Sequence, residues 1–346
     1  MATLQELLSR LVEHDDLTAE ETAAVMDLVL TDNASPVVMG AFLAALRVKR
    51  ETAEEVSGLA SAMLAHAIRI EVPGRCVDIV GTGGDGQNTV NVSTMAALVI
   101  AGAGLTVVKH GNRGATSMSG SADVLGELGV RLDLPPERVA ELATEVGITF
   151  CFAQVFHPAF RHAMPIRREL GIPTTLNILG PLVNPAQPAA SAIGSSSLRV
   201  SPVIAGVIAS QGREGLVFHG DDGLDELAPT GAATLWEVRG DGVTELRLDP
   251  IADLGLERIT IDDIRGGDAA ANADVVREVL AGRGGAARET VLLNAAAGIV
   301  ADGTLPGTAS GTIVERFVAG LDHAERAVDT GATAAVLERW VAATAA

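Results

Sequence analysis

The stretch Asp78-Ile-Val-Gly-Thr-Gly-Gly-Asp-Gly-Gln-Asn-Thr-Val-Asn-Val-Ser-Thr94 constrains the fold more than any other part of the chain. It joins an apolar strand to a helix through a run of glycines and an acid. Gly81, Gly83, Gly84 and Gly86 let the backbone turn tightly and approach a ligand with no Cβ in the way. The helix that begins near Asn91 aims unpaired N–H groups and its positive dipole end at the same place. The expected guest is a phosphate.

Gly81, Gly83 and Gly86 also satisfy G-x-G-x-x-G. A dinucleotide-binding unit should carry an acid roughly 20 residues further on, at the end of the next strand. Here the next predicted strand, Leu105 to Val108, is followed by Lys109-His-Gly-Asn-Arg113, and cations there suit a phosphorylated or pyrophosphorylated ligand. Asp85 inside the loop would repel a dinucleotide pyrophosphate unless it bonded a hydroxyl or worked with a metal. The Walker A pattern is absent.

From Cys76 onward apolar strands alternate with helices: strands at 76–80, 105–108 and 148–153, helices from Asn91, near 122–128 and at 137–146. That alternation predicts a mostly parallel sheet with helices on both faces. Further strands are expected at 192–194 and 216–219, and a hairpin at 234–238 and 243–248 around Gly240-Asp-Gly242. The first 70 residues read as short helices. Thr18-Ala-Glu-Glu21 and Thr52-Ala-Glu-Glu55 are capping boxes, and Ser35-Pro36 puts an N-cap before a proline. Apolar residues such as Val37, Phe42 and Leu46 then supply a buried face. The fold class is α/β with a small N-terminal helical domain. The expected division is a helical bundle over 1–72, joined by helices within 157–188, and an α/β domain over 73–346.

The net charge of −19 and the lack of long basic runs argue against nucleic-acid binding. An anionic small molecule remains compatible, because local fields at Lys109, Arg113 and Arg167 outweigh a diffuse, screened surface charge. Cys76 and Cys151 lack metal-ligand spacing and read as small core residues of a cytoplasmic protein. The longest apolar run, Met95 to Val108, contains an Ala-Gly-Ala-Gly turn, so no membrane span is expected.

Chemistry-bearing residues cluster at the ends of predicted strands, where an open α/β sheet places ligands. They are the glycine loop with Asn91-Val92-Ser93-Thr94, then Lys109 to Ser117 with Ser121, then His157 to Phe160 with Arg167, and finally His219-Gly-Asp-Asp-Gly-Leu-Asp-Glu226. Asp221, Asp222, Asp225 and Glu226 offer oxygen ligands to a hard cation or, alternatively, form a solvated acidic turn. His110 and His157 could be general acids, ring walls or structural histidines, and neither has the context of a nucleophile triad.

Gly81-Thr-Gly-Gly-Asp85, Asn91-Val-Ser-Thr94, Lys109-His-Gly-Asn-Arg113, Gly120-Ser-Ala-Asp-Val-Leu125, Asn177-Ile-Leu-Gly-Pro-Leu182 with Asn184-Pro185, and Asp222-Gly-Leu-Asp-Glu226 together resemble the anthranilate phosphoribosyltransferase family, in that family's order across nearly the whole chain. The resemblance implies an α/β domain like that of the nucleoside phosphorylases, a cleft between two domains, a homodimer, and two Mg2+ ions per subunit. It implies that phosphoribosyl pyrophosphate is held at Gly81, Gly84, Asp85, Thr89, Asn91, Val92, Ser93, Thr94, Lys109, Gly111, Asn112, Arg113, Thr116, Ser117 and Ser121. Anthranilate would meet Gly81, His110, Asn112, His157, Phe160 and Arg167; the metal would sit on Ser93, Asp225 and Glu226; and Asp85, Lys109, Asp225 and Glu226 would carry the chemistry. Gln154, Thr116 and Leu176 stand where the family commonly has Pro, Ser and Phe, and Gln154 and Leu176 are expected to reshape the wall of the acceptor channel. Rival readings are a nucleoside phosphorylase and a non-catalytic nucleic-acid-binding paralogue on the same scaffold.

Overall fold

In the computed structural model the described residues are 2–114 and 118–345, so Thr116 and Ser117 lie outside them. Four helices open the chain, α1 (Leu4–Val12), α2 (Ala19–Leu30), α3 (Pro36–Lys49) and α4 (Ala53–Ala65). Thr18 and Thr52 form their capping boxes, and Thr3 forms another at the start of α1. Each box satisfies N–H groups that the first helical turn leaves open, worth about 1 kcal/mol per cap. Ser35 makes no side-chain cap bond, and Pro36 at the first helical position takes over its role, since proline has no N–H to orphan. The expected buried face of α3 needs one correction. Met39, Phe42, Leu43 and Leu46 are buried, whereas Val37 is 81% exposed. Five residues before Phe42 it lies about 140° round the helix from it.

Seven strands form one sheet: β1 (Val77–Gly81), β2 (Val107–Gly111), β3 (Ile148–Phe152), β4 (Ala190–Gly194), β5 (Glu214–Gly220), β6 (Ala233–Arg239) and β7 (Gly242–Leu248). Their order is β3-β2-β1-β4-β5-β6-β7, parallel from β3 to β5 and antiparallel from β5 to β7. The hairpin falls at Gly240, whose φ of +59° glycine accepts without strain. Between the strands run α5 (Val92–Gly102), α6 (Ser121–Glu127), α7 (Pro136–Val146), α8 (Ala153–Phe156), α9 (Met164–Leu170) and α10 (Ser201–Ser210); α11 (Ala269–Leu280), α12 (Ala286–Asp302), α13 (Ile313–Asp329) and α14 (Ala332–Ala345) follow the sheet.

Side chains alternate across the sheet as the pleat requires. Leu216, Phe218 and Leu235 join the core built with α5 and α12, whereas Val217 and Trp236 join the core that contains the N-terminal helices and α10. Ile166 of α9 and Leu176 belong to that second core, so the segment after β3 packs back on the first helices. The chain leaves β1 for β2 and β3 on one side and returns to β4 on the other. This reversal opens a crevice beyond the carboxyl end of β1, where open α/β sheets hold ligands. No helix among the described residues is long and apolar enough to cross a membrane.

Candidate active site

A cavity of about 470 Å3 lies in that crevice. Its floor is the loop from β1 to α5. Gly83, Gly84 and Gly86 hold φ values of +68°, +85° and +73°, a left-handed path open to glycine and strained for residues with a Cβ. The N-cap Asn91 makes no side-chain cap bond, and Val92 and Ser93 of the first turn of α5 line the cavity. The arrangement presents backbone donors and the positive helix end to an anion. Asn91 is itself held by two other segments: its amide donates to the Ser119 carbonyl at 3.2 Å, and its Oδ1 accepts from Asn272 of α11 at 2.8 Å.

Lys109 and His110 were expected beyond the end of a strand, but they lie inside β2, opposite Phe150 and Cys151 of β3. Strand pairing extends further than the apolar run because Lys109 reaches a polar interior. Its Nζ donates to the Ile79 carbonyl at 2.6 Å and to Ser93 Oγ at 3.2 Å. Burial lowers its pKa to about 8, while the nearby Asp78 carboxylate works to hold the charge. Asp78 is fully buried and accepts from the His110 N–H and the Asn184 amide. His110 Nδ1 meets the Gly180 carbonyl at 3.0 Å; a carbonyl only accepts, so Nδ1 carries the proton and buried Nε2 is left as an acceptor without a partner among the described residues. Burial holds His110 neutral, with a pKa of about 4.

The acids stand within and against this cradle. One carboxylate oxygen each from Asp85, Asp225 and Glu226 lie within 4.8 Å of one another. Gly83 N–H donates to Asp225 Oδ2 at 2.6 Å and Thr89 Oγ1 donates to Glu226 Oε1 at 3.0 Å. Asp85 Oδ2 and Glu226 Oε2 are buried with no hydrogen-bond partner among the described residues. Desolvation, followed by the neighbouring Asp85, pushes Asp225 up to about 7; desolvation and then Asp225 push Glu226 well above the ordinary carboxylate range. Such crowding costs stability unless a cation is shared among the oxygens, and orphaned carboxylate oxygens at this spacing fit a hard divalent ion.

The expected acidic set divides. Asp221 pairs with Arg247 at 2.6 Å on the surface, and Asp222 accepts from Leu224 N–H and Thr230 Oγ1, so both stiffen the turn and stand outside the cavity. Ser93 Oγ takes its bond from Lys109, and Asp85 stands as the third member of the acid cluster.

Gly81, Gly84, Gly111, Asn112, Arg113, Ser121 and Arg167 all line the cavity. Arg167, on α9, has a half-buried guanidinium for which no acidic partner stands among the described residues. Arg113 pairs with Asp123 at 2.9 Å and lies over the Phe152 ring. Thr94 is buried and does not border the cavity. His157 stands behind His110, ring centroids 5.2 Å apart, its Nε2 donating to the Val183 carbonyl at 2.9 Å, with a pKa lowered to about 3. Phe160 packs against the core of the N-terminal helices. Neither borders the cavity, and neither does Leu176, buried in that core, nor Gln154, which is exposed. Asn88, Asn177 and Asn294 do border it. Asn177 stands in a quoted motif, whereas Asn88 and Asn294 carry no charge or spacing that would single them out in sequence.

A glycine-rich cradle at a helix start, a carboxylate cluster held against it and Arg167 beside them in one cavity are the parts of a two-part glycosyl transferase. Family profiles agree: "Glycosyl transferase family, helical bundle domain" matches residues 5–67 and "Glycosyl transferase family, a/b domain" matches 73–334. The anthranilate phosphoribosyltransferase of Arthrobacter sp. (strain FB24) is 58% identical over 342 residues, 99% of this chain and 96% of that protein. The crystal structure of anthranilate phosphoribosyltransferase from Thermus thermophilus superposes with a TM-score of 0.90 at 39% identity, covering 98% of this chain and 99% of that one. The enzyme from Saccharomyces cerevisiae in complex with PRPP and Mg gives 0.88 at 29% identity, covering 99% and 98%. The chain belongs to the anthranilate phosphoribosyltransferase family.

Proposed function

We propose that the protein transfers the 5-phosphoribosyl group of phosphoribosyl pyrophosphate to the amine of anthranilate, releasing pyrophosphate, as a step of tryptophan biosynthesis. The observation that carries this reading is the shared cavity: the glycine loop, the Asp85–Asp225–Glu226 cluster and Arg167 all border it.

In the transfer the bond from ribose C1 to the pyrophosphate oxygen breaks, a bond from C1 to the amine nitrogen forms, and the alkylated nitrogen gives up a proton to water. Positive charge grows on the sugar and negative charge on the leaving group. Backbone N–H groups of the glycine loop and the Lys109 ammonium stabilise the departing phosphates, a fixed electrostatic contribution. Magnesium held by Asp225 and Glu226, with Asp85 or Ser93 beside them, would supply further positive charge at the pyrophosphate. Arg167 and Asn112 orient the acceptor by its carboxylate, and neutral His110 walls its path without adding a repelling or competing charge. The aromatic amine needs no deprotonation before it attacks.

Two ions per subunit and a cytoplasmic homodimer complete the proposal. Support for a dimer is Val37 and Val48 of α3, 81% and 74% exposed; light scattering at micromolar protein should show a mass twice that of the chain. We also assign residues 1–72, with the helices within 157–188, to the bundle domain and 73–346 to the α/β domain. The deciding assay mixes protein, phosphoribosyl pyrophosphate, magnesium and anthranilate and follows the loss of anthranilate fluorescence with pyrophosphate release. Release that ignores anthranilate would overturn the assignment.

A further inference from the structure

Asn294 borders the cavity from α12, yet its amide is fully engaged elsewhere. Oδ1 accepts from Leu227 N–H at 3.1 Å, and Nδ2 donates to the Leu227 carbonyl at 2.7 Å and to the Thr290 carbonyl at 2.8 Å. A carboxamide has two N–H donors, so none is left for a ligand. The side chain is 2% exposed. It pairs with both backbone groups of one residue, as one rung of a β-ladder would, and it reaches 67 residues along the chain to do so.

The residue it grips directly follows Asp225 and Glu226. On their other side the turn is fastened at Leu224, whose carbonyl accepts from Gly220 N–H at 3.3 Å and whose N–H donates to Asp222 Oδ1 at 3.1 Å. The acid pair therefore spans a short bridge between two anchors, and Asn294 is the far one. Three mutually repelling carboxylates would otherwise spread apart. Resting on the transferase reading above, we propose that Asn294 is a positioning residue which, through Leu227, holds Asp225 and Glu226 in register for a divalent cation without itself touching substrate.

The test compares the full chain with Asn294→Ala and with the isosteric Asn294→Asp, which keeps an acceptor for Leu227 N–H and loses both donors. Phosphoribosyl pyrophosphate binding is measured by calorimetry in magnesium and in excess chelator, beside kinetics at varied magnesium. For both variants the magnesium concentration at half-maximal rate should rise about tenfold or more, since the buried Leu227 carbonyl loses its donor in each. Binding should weaken in magnesium and stay unchanged in chelator, while the anthranilate KM should stay within about twofold. An unchanged magnesium requirement, or equal weakening in chelator, would overturn the proposal. Hydrogen exchange of the unaltered protein gives a second reading that no folding defect can obscure: the Leu227 amide should be protected before any magnesium is added. Exchange there as fast as in an open loop overturns the proposal even if neither variant folds. Absence of anthranilate turnover in the unaltered protein would sink the transferase reading instead, and the paired binding titrations would still judge Asn294.

Discussion

Asp225 rests its carboxylate on Gly81, in the space a Cβ at that position would need. The last residue of β1 is thus the seat of an acid delivered by the loop after β5. The same Oδ2 takes a bond from Gly83 N–H at 2.6 Å, so phosphate cradle and acid cluster share one piece of backbone.

Gly81→Ala should therefore act first on the acid, whose carboxylate occupies the space the new methyl group needs. Displacing Asp225 is expected to lower kcat by about tenfold or more, equivalent to about 1.4 kcal/mol of lost transition-state stabilisation, and to raise the magnesium requirement in parallel. Steady-state kinetics at varied magnesium check this. A variant with unaltered metal dependence would show that Asp225 can work from elsewhere.

Arg167→Ala should cost about 1.5–3 kcal/mol of acceptor recognition, or about 10- to 150-fold in kcat/KM for anthranilate, with little change in the KM for phosphoribosyl pyrophosphate. Arg167→Lys should recover only part of the loss, because a point charge does not reproduce a planar fork. Paired kinetics in both substrates decide. An effect confined to phosphoribosyl pyrophosphate would move Arg167 to the phosphate site.

The acid cluster makes the thermal effect of magnesium depend on pH. Asp225 rises from an ordinary 3.8 to about 7, and Glu226 rises as well, so between those values the folded chain binds protons that the unfolded chain has released. Their contribution is present at low pH and is lost as pH rises through about 7. Magnesium replaces those protons, so the melting temperature gained on adding it should be larger near pH 8 than near about pH 5.5. His110 and His157 act in the opposite sense. Their pKa values fall from 6.5 to about 4 and about 3, so stability is lost as pH drops below about 6.5. The increment from magnesium at each pH is therefore the quantity to compare, and an equal increment at both would dissociate the acids from the metal.

Asn272→Ala should loosen the phosphate cradle. Asn272 joins the Asn91 amide to Gly267 N–H, both at 2.8 Å, and is 2% exposed. Removing it leaves buried partners unmet, with an expected cost of about 1–3 kcal/mol in stability and a several-fold rise in the KM for phosphoribosyl pyrophosphate. Denaturant titration and kinetics measure the two effects. A stability loss with no change in that KM would limit Asn272 to the scaffold.

Much of this was legible in the sequence where local chemistry decides. Thr18 and Thr52 announced their helices, Gly83, Gly84 and Gly86 announced the turn, and alternating apolar runs announced the sheet. Long-range pairing was less visible. Lys109 and His110 read as loop residues because polarity commonly marks a strand's end, yet β3 pairs with them and Asp78 supplies a buried polar neighbour. By residue type alone Asp221 and Asp222 looked equal to Asp225 and Glu226, and only the family resemblance set the second pair apart; the turn of the loop sends the first pair to Arg247 and Thr230 and the second to the cavity. Asn294 was silent for the same reason: its partner lies 67 residues away.

Gly194, at the end of β4, pairs with Gly81 across the sheet, and a Cβ there would collide with the main chain of Asp225. The acid loop can cross over β4 only because that strand ends in a residue with no side chain. In a mutational scan Gly194 should therefore tolerate substitution as poorly as the acids do, although it brings no functional group to the reaction; a ranking of positions by chemical capability would pass over it.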